Sequence, residues 1–212
     1  MKKKIIITGG LGYIGTELCR LYSGVSWHHK ILVIDNRFIS ERVNQIRNWN
    51  MEFIHGDILD KDLVDKYFSN ADVVHHLAGI TSVPKTKSES SKEIDEKIKL
   101  VAEEGTQNIL NTISNECKLI FPSTHVVYEG ISEVKKDIKE NENTQPVLSY
   151  SSSKAANEKQ IKDSRKNYVI LRLGSVYGYS NDTMRIDIMP NLFSKIASQN
   201  GTLKLFAGGR QI

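Results

Sequence analysis

The sequence is short of cysteine and of long apolar runs, and both shortages narrow what the protein can be. Cys19 and Cys117 are its only cysteines. Neither stands in a Cys-x-x-Cys or Cys/His spacing, which argues against a disulfide framework and a zinc site. No apolar run approaches the roughly 18 residues of a membrane-spanning helix. Two glycines interrupt the start, MKKKIIITGG, too early for a signal peptide. We therefore expect reduced thiols, a cytoplasmic protein and no membrane partner.

The sequence also lacks a concentrated charge and a metal-binding pattern. The net charge is +4, and the lysines are spread along the chain apart from residues 2–4. We interpret that cluster as a solvated chain end rather than a phosphate-binding arm, and we expect no nucleic-acid partner. His75 and His76 are adjacent, but neighbours on a strand point to opposite faces and cannot chelate one ion. We predict no metal.

What the sequence does contain is an alternation of short apolar runs with helical patterns. The runs are rich in Ile and Val without clean alternation, which is typical of strands buried on both faces. This order predicts an α/β protein with a doubly wound parallel sheet of the Rossmann type. The predicted strands cover 4–8, 30–35, 51–55, 72–78, 118–123 and 168–173, and the predicted helices cover 13–22, 59–69, 92–116 and 150–165.

The pattern changes after Gly174. We predict a helix over 186–200 and a short strand over 203–206, and we predict that the charged segment 129–146 is a mobile loop. One helix and one strand cannot enclose a core. We therefore expect a first domain over 1–174 and the incomplete start of a smaller second domain over 175–212.

A glycine triplet follows the first predicted strand in ITGGLGYIG. Gly9, Gly12 and Gly15 suit a tight turn, a close approach of backbone to a pyrophosphate, and close packing of helix on strand. The free N–H groups of the following helix then face the phosphates. The triplet therefore predicts a dinucleotide site.

A carboxylate at the end of the second strand supports this interpretation. Asp35 can accept hydrogen bonds from both ribose hydroxyls and would repel a 2′-phosphate, which favours NAD over NADP, although Arg37 close behind weakens that preference. Residues after the third and fourth strands also reach this edge of the sheet. The NAD-binding residues predicted at this edge are Gly9, Gly12, Tyr13, Ile14, Gly15, Asp35, Asn36, Asp57, Ile58, Leu77, Ala78 and Gly79.

These motifs, together with PSTHVVYEG, YSSSK and LRLGSVYG, resemble in order and spacing the extended short-chain dehydrogenase/reductase family. Its members include NAD-dependent sugar-nucleotide epimerases and dehydratases. The resemblance implies a Rossmann domain for NAD, a smaller domain for a nucleotide-sugar substrate, and a homodimer formed through helices 92–116 and 150–165. Members of the family are longer, so we expect the chain to lack most of the substrate domain.

Tyr150 and Lys154 lie one helical turn apart, on one face. A phenol needs its pKa lowered by about three units, or about 4 kcal/mol, to act as a base near neutral pH. An ammonium about 5 Å away supplies about 3 kcal/mol at an effective dielectric near 20. The resemblance implies that Tyr150 takes the proton of a sugar hydroxyl and that Lys154 also holds the nicotinamide ribose. It thereby adds Tyr150 and Lys154 to the predicted NAD-binding residues. It aligns the third catalytic residue with Thr124, and Ser123 is the alternative.

The residues after Thr124 bear on the type of reaction. Dehydratases of the family carry an acidic pair there, and this sequence has His125 and Val126. We therefore expect a 4-epimerase of a UDP-hexose that oxidises the sugar transiently and reduces it again. TSVPKT (81–86) resembles the substrate loop of UDP-hexose and UDP-N-acetylhexosamine 4-epimerases. The predicted substrate-binding residues are Ser82, Val83, Thr124 and Ser175, the last of which replaces the family's usual asparagine.

Three alternatives stay open. One is an NAD(P)-dependent reductase of the same fold, the second a dehydratase, and the third a truncated dinucleotide-binding protein with little turnover. Glu129, which stands where the family has glycine, also leaves the identity of the substrate open.

Overall fold

The structure of the chain is a computed structural model that describes residues 2–81, 87–180, 185–186 and 188–205. Six strands form one sheet: β1 Lys4–Thr8, β2 Lys30–Asp35, β3 Glu52–His55, β4 Val73–His76, β5 Lys118–Thr124 and β6 Asn167–Leu173. Six α-helices accompany them: α1 Tyr13–Ser23, α2 Ser40–Asn48, α3 Lys61–Phe68, α4 Lys92–Thr112, α5 Ser149–Asp163 and α6 Met189–Ser198. Short 3₁₀ turns cover Lys87–Glu89 and His125–Tyr128.

The strand order is β3-β2-β1-β4-β5-β6, and every pairing is parallel. Ile5 of β1 lies opposite Ile31 of β2 on one side and Val73 of β4 on the other. The order reverses between β1 and β4, and ligands of doubly wound sheets bind outside the carboxyl ends of the strands at that point. The predicted Rossmann-type sheet is confirmed, and its topology places the site at the ends of β1 and β4.

Helices cover the sheet on both faces, and each face has its own core. One core packs α3, α4 and α5 against Ile6, Leu32 and Ile34. The other packs α1 and α2 against Ile5, Ile7 and Val33. Successive residues of β1 and β2 therefore enter opposite cores, which explains why these strands are apolar throughout. None of the described helices is long and apolar enough to cross a membrane.

Two parts of the chain differ from the prediction. Helix α2 was not predicted, because its sequence SERVNQIRN is mostly polar and only Val43 and Ile46, one turn apart, are buried. The strand predicted over 203–206 is wrong for residues 203–205, which have no regular structure, and residue 206 lies outside the described residues.

The charged segment 129–146 contains no helix or strand, and several hydrogen bonds attach it to the rest of the chain. The Gln145 N–H donates to the Val127 carbonyl at 2.8 Å, and within the segment the Gly130 N–H donates to the Gln145 carbonyl at 2.8 Å. Arg172 of β6 donates to the carbonyl of Glu140 at 3.0 Å. The mobility of this segment stays a prediction.

Candidate active site

The glycine turn lies directly on the backbone at the end of β4. Gly9 has φ +66° and donates its N–H to the Ile34 carbonyl at 2.8 Å. A Cβ on Gly9 would come within 2.8 Å of the Ala78 nitrogen. A Cβ on Gly15 would lie 2.7 Å from the Gly10 Cα and closer still to the Gly9 carbonyl oxygen. Gly12 is the N-cap of α1 and makes no side-chain cap. The turn therefore leaves the first N–H groups of α1, at Tyr13 and Ile14, for an anion.

Asp35 stands at the end of β2 and is 6% exposed. Its Oδ2 accepts from the Leu11 N–H at 2.9 Å, and its Oδ1 accepts from the Arg37 N–H at 2.9 Å. The Arg37 Nε lies 3.4 Å from the same Oδ1. Each carboxylate oxygen has two lone pairs, so Oδ2, which accepts one of these hydrogen bonds, keeps capacity for a ribose hydroxyl. The carboxylate is thus fixed beside the glycine turn.

Asn36 and Asp57 pair with each other at the ends of β2 and β3. The Asn36 amide donates to the Asp57 Oδ2 at 2.9 Å, and the Asp57 Oδ1 accepts from the Leu59 N–H at 2.9 Å. Ile58 is 4% exposed and belongs to the core, so its side chain faces away from this edge. Only the backbone of Ile58 is therefore available to a cofactor.

A buried chain of hydrogen bonds connects the glycine turn with α5. The Thr8 Oγ1 accepts from the Ala78 N–H at 3.0 Å and lies 3.0 Å from the His76 Nδ1. The His76 Nε2 lies 3.1 Å from the Thr106 Oγ1, to which the Asn157 amide donates at 3.0 Å. Burial, assisted by the Lys154 charge, lowers the pKa of His76 to about 3. This chain, which we call the His76 network, links β1, β4, α4 and α5 through a neutral imidazole.

The two adjacent histidines occupy separate environments, as the alternation of the strand predicts. The His75 Nε2 lies 2.8 Å from the Tyr22 hydroxyl on the α1 side of the sheet, whereas His76 faces α4. Among the described residues no group of three His, Cys, Asp or Glu side chains is placed to hold a metal ion.

Tyr150 and Lys154 lie on the first turns of α5, next to the end of β5. The Lys154 Nζ donates to the Pro122 carbonyl at 2.8 Å, lies 4.4 Å from the centre of the Phe121 ring and lies 6.0 Å from the centre of the Tyr150 ring. Burial lowers the pKa of Lys154 to about 8, against the opposing effect of Glu158.

Without the dinucleotide, the residues of the chain do not produce the predicted lowering of the pKa of Tyr150. Burial raises the pKa of Tyr150, and the charge that opposes this rise belongs to Arg185. The prediction counted the attraction between ammonium and phenolate and left out the cost of burying both charges.

The structure separates the two hydroxyl residues at the end of β5. Ser123 and Thr124 are neighbours on a strand, so their side chains point to opposite faces. The Ser123 hydroxyl donates to the Glu158 Oε1 at 2.6 Å, and Glu158 also pairs with Arg172 at 2.6 Å. Thr124 lies on the other face, and its hydroxyl accepts from the Val126 N–H at 3.3 Å. The Ser123 hydroxyl, the alternative third catalytic group, is therefore bonded inside an ion-pair cluster of Glu158 and Arg172.

Two residues that the sequence did not identify contribute to this site. The Glu129 Oε1 accepts from the N–H groups of Val147 and Leu148 at 2.8 and 2.7 Å, and it also accepts from the Ser151 hydroxyl. These hydrogen bonds lower the pKa of Glu129 even though burial opposes them. Glu129 thus caps the helix that carries Tyr150.

Arg185 is the second of these residues, and its charge favours the phenolate form of Tyr150. Arg185 lies 35 positions after Tyr150, in a stretch without a motif, so no pattern in the sequence indicated it. Glu129 did carry a signal, because it replaces a glycine of the family pattern.

Of the predicted substrate residues, the structure describes Thr124 and Ser175, and only Thr124 lies at the end of a central strand. Ser175 is exposed and comes two positions after the end of β6. Ser82 and Val83 lie outside the described residues. Gly79 is exposed after the end of β4, and Leu77 and Ala78 are half-buried beside the glycine turn. The predicted NAD residues therefore gather at the ends of β1, β2, β3 and β4, with Tyr150, Lys154 and Thr124 beyond the end of β5.

The chain also matches known proteins. The model of the NAD dependent epimerase/dehydratase family matches residues 5–212. A dTDP-D-glucose 4,6-dehydratase of Dictyostelium discoideum is 31% identical over 83% of this chain and 44% of its own length. A UDP-glucose 4-epimerase of Neisseria meningitidis serogroup C is 29% identical over 77% of this chain and 49% of its own length. The chain thus spans about half the length of these relatives.

Solved structures show the same fold with ligands. The UDP-glucuronic acid 4-epimerase of Bacillus cereus, in complex with UDP-glucuronic acid and NAD, superposes with a TM-score of 0.76 at 28% identity. The match covers 98% of this chain and 67% of that one. A UDP-glucose 4-epimerase of Brucella ovis in complex with NAD gives a TM-score of 0.68 at 26% identity, over 84% of this chain and 54% of that one.

Proposed function

Because this chain belongs to the NAD dependent epimerase/dehydratase family, we propose that it is the catalytic part of a nucleotide-sugar 4-epimerase acting on a UDP-hexose. Its relatives are NAD-dependent enzymes of sugar nucleotides, and they include 4-epimerases, a dehydratase and a decarboxylase. The glycine turn fits NAD, since any side chain at Gly9 or Gly15 would occupy the space that the turn needs.

One observation favours epimerisation over dehydration. Elimination of water from a sugar needs an acid for the leaving hydroxyl and a base for the neighbouring carbon. The two positions after Thr124 hold no carboxylate. The His125 Nδ1 lies 3.1 Å from the Leu173 carbonyl, and Val126 is apolar. Oxidation followed by reduction on the opposite face needs a single proton-transfer residue, which Tyr150 supplies.

The proposed roles follow from position. Tyr150 exchanges the proton of the sugar hydroxyl, and Thr124 binds the same oxygen from the end of β5. Lys154, fixed by the Pro122 carbonyl, holds the nicotinamide ribose. NAD, when bound, accepts the hydride from the sugar carbon and returns it. The remaining residues bind and orient the dinucleotide: Gly9, Gly12, Tyr13, Ile14, Gly15, Asp35, Asn36, Asp57, Ile58, Leu77, Ala78 and Gly79.

The same proposal covers organisation and assembly. We assign residues 1–174 to the NAD-binding domain and residues 175–212, with Ser175, to the beginning of the substrate-binding domain. We also propose a homodimer formed through α4 and α5. Ile94 and Leu100 of α4 support it, because each of these apolar side chains is 42% exposed.

The test is incubation of the protein with NAD and a panel of UDP-, dTDP- and GDP-hexoses, with the products separated by chromatography. We expect a UDP-hexose to convert into its C4 epimer with no net change in NADH absorbance. A 4-keto-6-deoxy product from dTDP-glucose would assign the chain to the dehydratases. Net consumption of NADPH in a parallel incubation with NADPH and a nucleotide-linked keto-sugar would assign it to the reductases.

The Tyr150→Phe variant tests the proposed proton transfer. We expect its epimerisation rate to fall by at least about 100-fold, the lower range for losing a general acid-base. Its NAD affinity, measured by calorimetry, should stay within about twofold, because the glycine turn and Asp35 are unchanged. Tyr177→Phe is the control, since Tyr177 is 66% exposed. An undiminished rate in Tyr150→Phe would assign the proton transfer to another residue.

A further inference from the structure

A polar cluster joins the glycine turn to the chain that follows β6. The Tyr13 hydroxyl donates to the Gly178 carbonyl and accepts from the Asn191 Nδ2 at 3.3 Å. The Ser180 hydroxyl donates to the Tyr13 carbonyl at 2.9 Å. The Gly178 N–H donates to the Asn191 Oδ1 at 3.0 Å, which closes the cluster. We call these four residues the Tyr13 cluster.

Two side chains of the cluster are buried, and one of its residues has a backbone conformation that favours glycine. Asn191 is 4% exposed and Ser180 is 7% exposed. Gly178 has φ +120°, a conformation that other residues adopt only with strain. A buried polar group that loses its partner costs more than the net value of the hydrogen bond. The Tyr13 hydroxyl takes part in two of these hydrogen bonds, so its loss should weaken the attachment of Gly178 and Asn191 to the glycine turn.

Tyr13 belongs to both halves of the proposed site. It is the first residue of α1, so its backbone N–H is among those that face an anion at the glycine turn. Its side chain reaches Gly178 and Asn191 in the part that we assign to the substrate domain. An event at the turn can therefore reach the other half through a single residue.

We propose that Tyr13 is a positioning residue that couples occupancy of the glycine turn by the dinucleotide to the positions of Gly178, Ser180 and Asn191, and so to binding of the nucleotide-sugar. The proposal rests on the proposed function for the identity of the second ligand. The coupling itself rests only on the Tyr13 cluster.

The cluster also bears on catalysis. The Asn191 Nδ2 donates to the Arg185 carbonyl at 3.1 Å. Arg185 is the residue whose charge opposes the rise in the pKa of Tyr150. Loss of the cluster should therefore make the position of Arg185 less fixed, in addition to the positions of Gly178 and Ser180.

Hydrogen exchange of the Gly178 amide provides the test, because this amide donates inside the cluster. We expect saturating NAD to slow its exchange by about fivefold, the equivalent of one hydrogen bond. The same slowing should be absent in Tyr13→Phe, which keeps the ring and removes the hydroxyl. Tyr22→Phe is the matched control on the same helix, because its hydroxyl contacts the His75 Nε2 instead.

A second measurement uses UDP alone as the probe, titrated by calorimetry with and without NAD. NAD should increase UDP affinity in the unaltered protein and in Tyr22→Phe, and it should not do so in Tyr13→Phe. Asn191→Ala removes the Asn191 hydrogen bonds of the cluster and should behave like Tyr13→Phe. If one of the two variants does not fold, the other still provides the test.

Neither measurement requires turnover, so the coupling and the proposed function can fail separately. A coupled but inactive protein would support the cluster and reject the epimerase. If Tyr13→Phe and Asn191→Ala keep the NAD-dependent slowing at Gly178, the coupling is wrong even when epimerisation is observed.

Discussion

Gly15 shows how one residue type determines whether the cofactor site can form. A methyl group on Gly15 would lie 2.7 Å from the Gly10 Cα and closer to the Gly9 carbonyl oxygen, and both are backbone atoms that cannot move independently. The helix and the turn would have to separate. This separation would displace the N–H groups that face the pyrophosphate.

We therefore expect Gly15→Ala to lower the free energy of unfolding by about 1 to 3 kcal/mol, the usual cost of overpacking, and to abolish NAD binding. Urea denaturation and calorimetry measure the two effects. Gly24→Ala is the control, because Gly24 has φ −66° and a Cβ added there would meet no atom within 4 Å. Equal effects of the two substitutions would show that the close contact at Gly15 is unimportant.

The pKa values of the site residues could not be predicted from the sequence. The spacing of Tyr150 and Lys154 predicts correctly that both side chains lie on one face of a helix. It does not show that the Lys154 ammonium is enclosed beside Phe121 and the Pro122 carbonyl, which lowers its pKa to about 8. The pKa values depend on burial, and burial is a property of the packed chain.

At the scale of elements, the His76 network connects four parts of the site through one imidazole. The pKa of His76 is lowered to about 3 because burial and the Lys154 charge both disfavour the protonated ring. In the unfolded chain the ring takes up a proton near its ordinary pKa of about 6.5. Between these two values the unfolded state binds more protons, so stability falls as the pH falls.

We expect His76→Asn to be less stable than the unaltered protein near neutral pH and to approach it as the pH is lowered toward 4. At low pH the unfolded state of the unaltered protein gains a proton on His76 that the folded state does not bind, which lowers its free energy of unfolding. The variant has no such group. Urea denaturation at a series of pH values measures the difference. His28→Asn, at an exposed position, is the control and should show no such convergence. A difference that stays constant with pH would contradict the buried neutral imidazole.

The capping of α5 is another feature of this scale. Glu129 reaches the helix from the turn that follows β5 and accepts from the N–H groups of Val147 and Leu148. It thereby ties the strand that ends in Thr124 to the helix that begins with Ser149 and Tyr150. The departure from the family pattern at Glu129 thus has a structural role in holding two proposed catalytic residues near each other.

At the scale of the whole molecule, a ligand that binds only the folded chain stabilises it. NAD at about 100 times its Kd should add about 2.7 kcal/mol, which corresponds to a rise in Tm of roughly 5 to 10 °C for a chain of this size. NADP at the same concentration should raise Tm less, because its 2′-phosphate would meet the Asp35 carboxylate. Differential scanning calorimetry measures both shifts.

In Asp35→Ala the two shifts should become similar, since the carboxylate that distinguishes the ligands is gone. A larger shift with NADP in the unaltered protein would reverse the assigned preference. It would also point to Arg37, whose Nε lies 3.4 Å from the Asp35 carboxylate, as a ligand for the added phosphate.

Sequence reasoning succeeded where the signal is local or periodic. The strands at 4–8 and 30–35 were predicted to the residue, because buried parallel strands are apolar on both faces and end at turns. The glycine turn and Asp35 were found because their spacing reflects the βαβ unit itself. Helix α2 was missed, because its two buried residues produce no periodic pattern.

By itself, the sequence determined the order of the elements, the dinucleotide turn and the pairing of Tyr150 with Lys154, because each depends on residues close together in the chain. Only the tertiary structure decided that Ser123 is bonded to Glu158 while Thr124 is not, how burial shifts the pKa values, and that Tyr13 contacts Gly178 and Asn191. These features arise between residues far apart in sequence, and their energies depend on packing and loss of water.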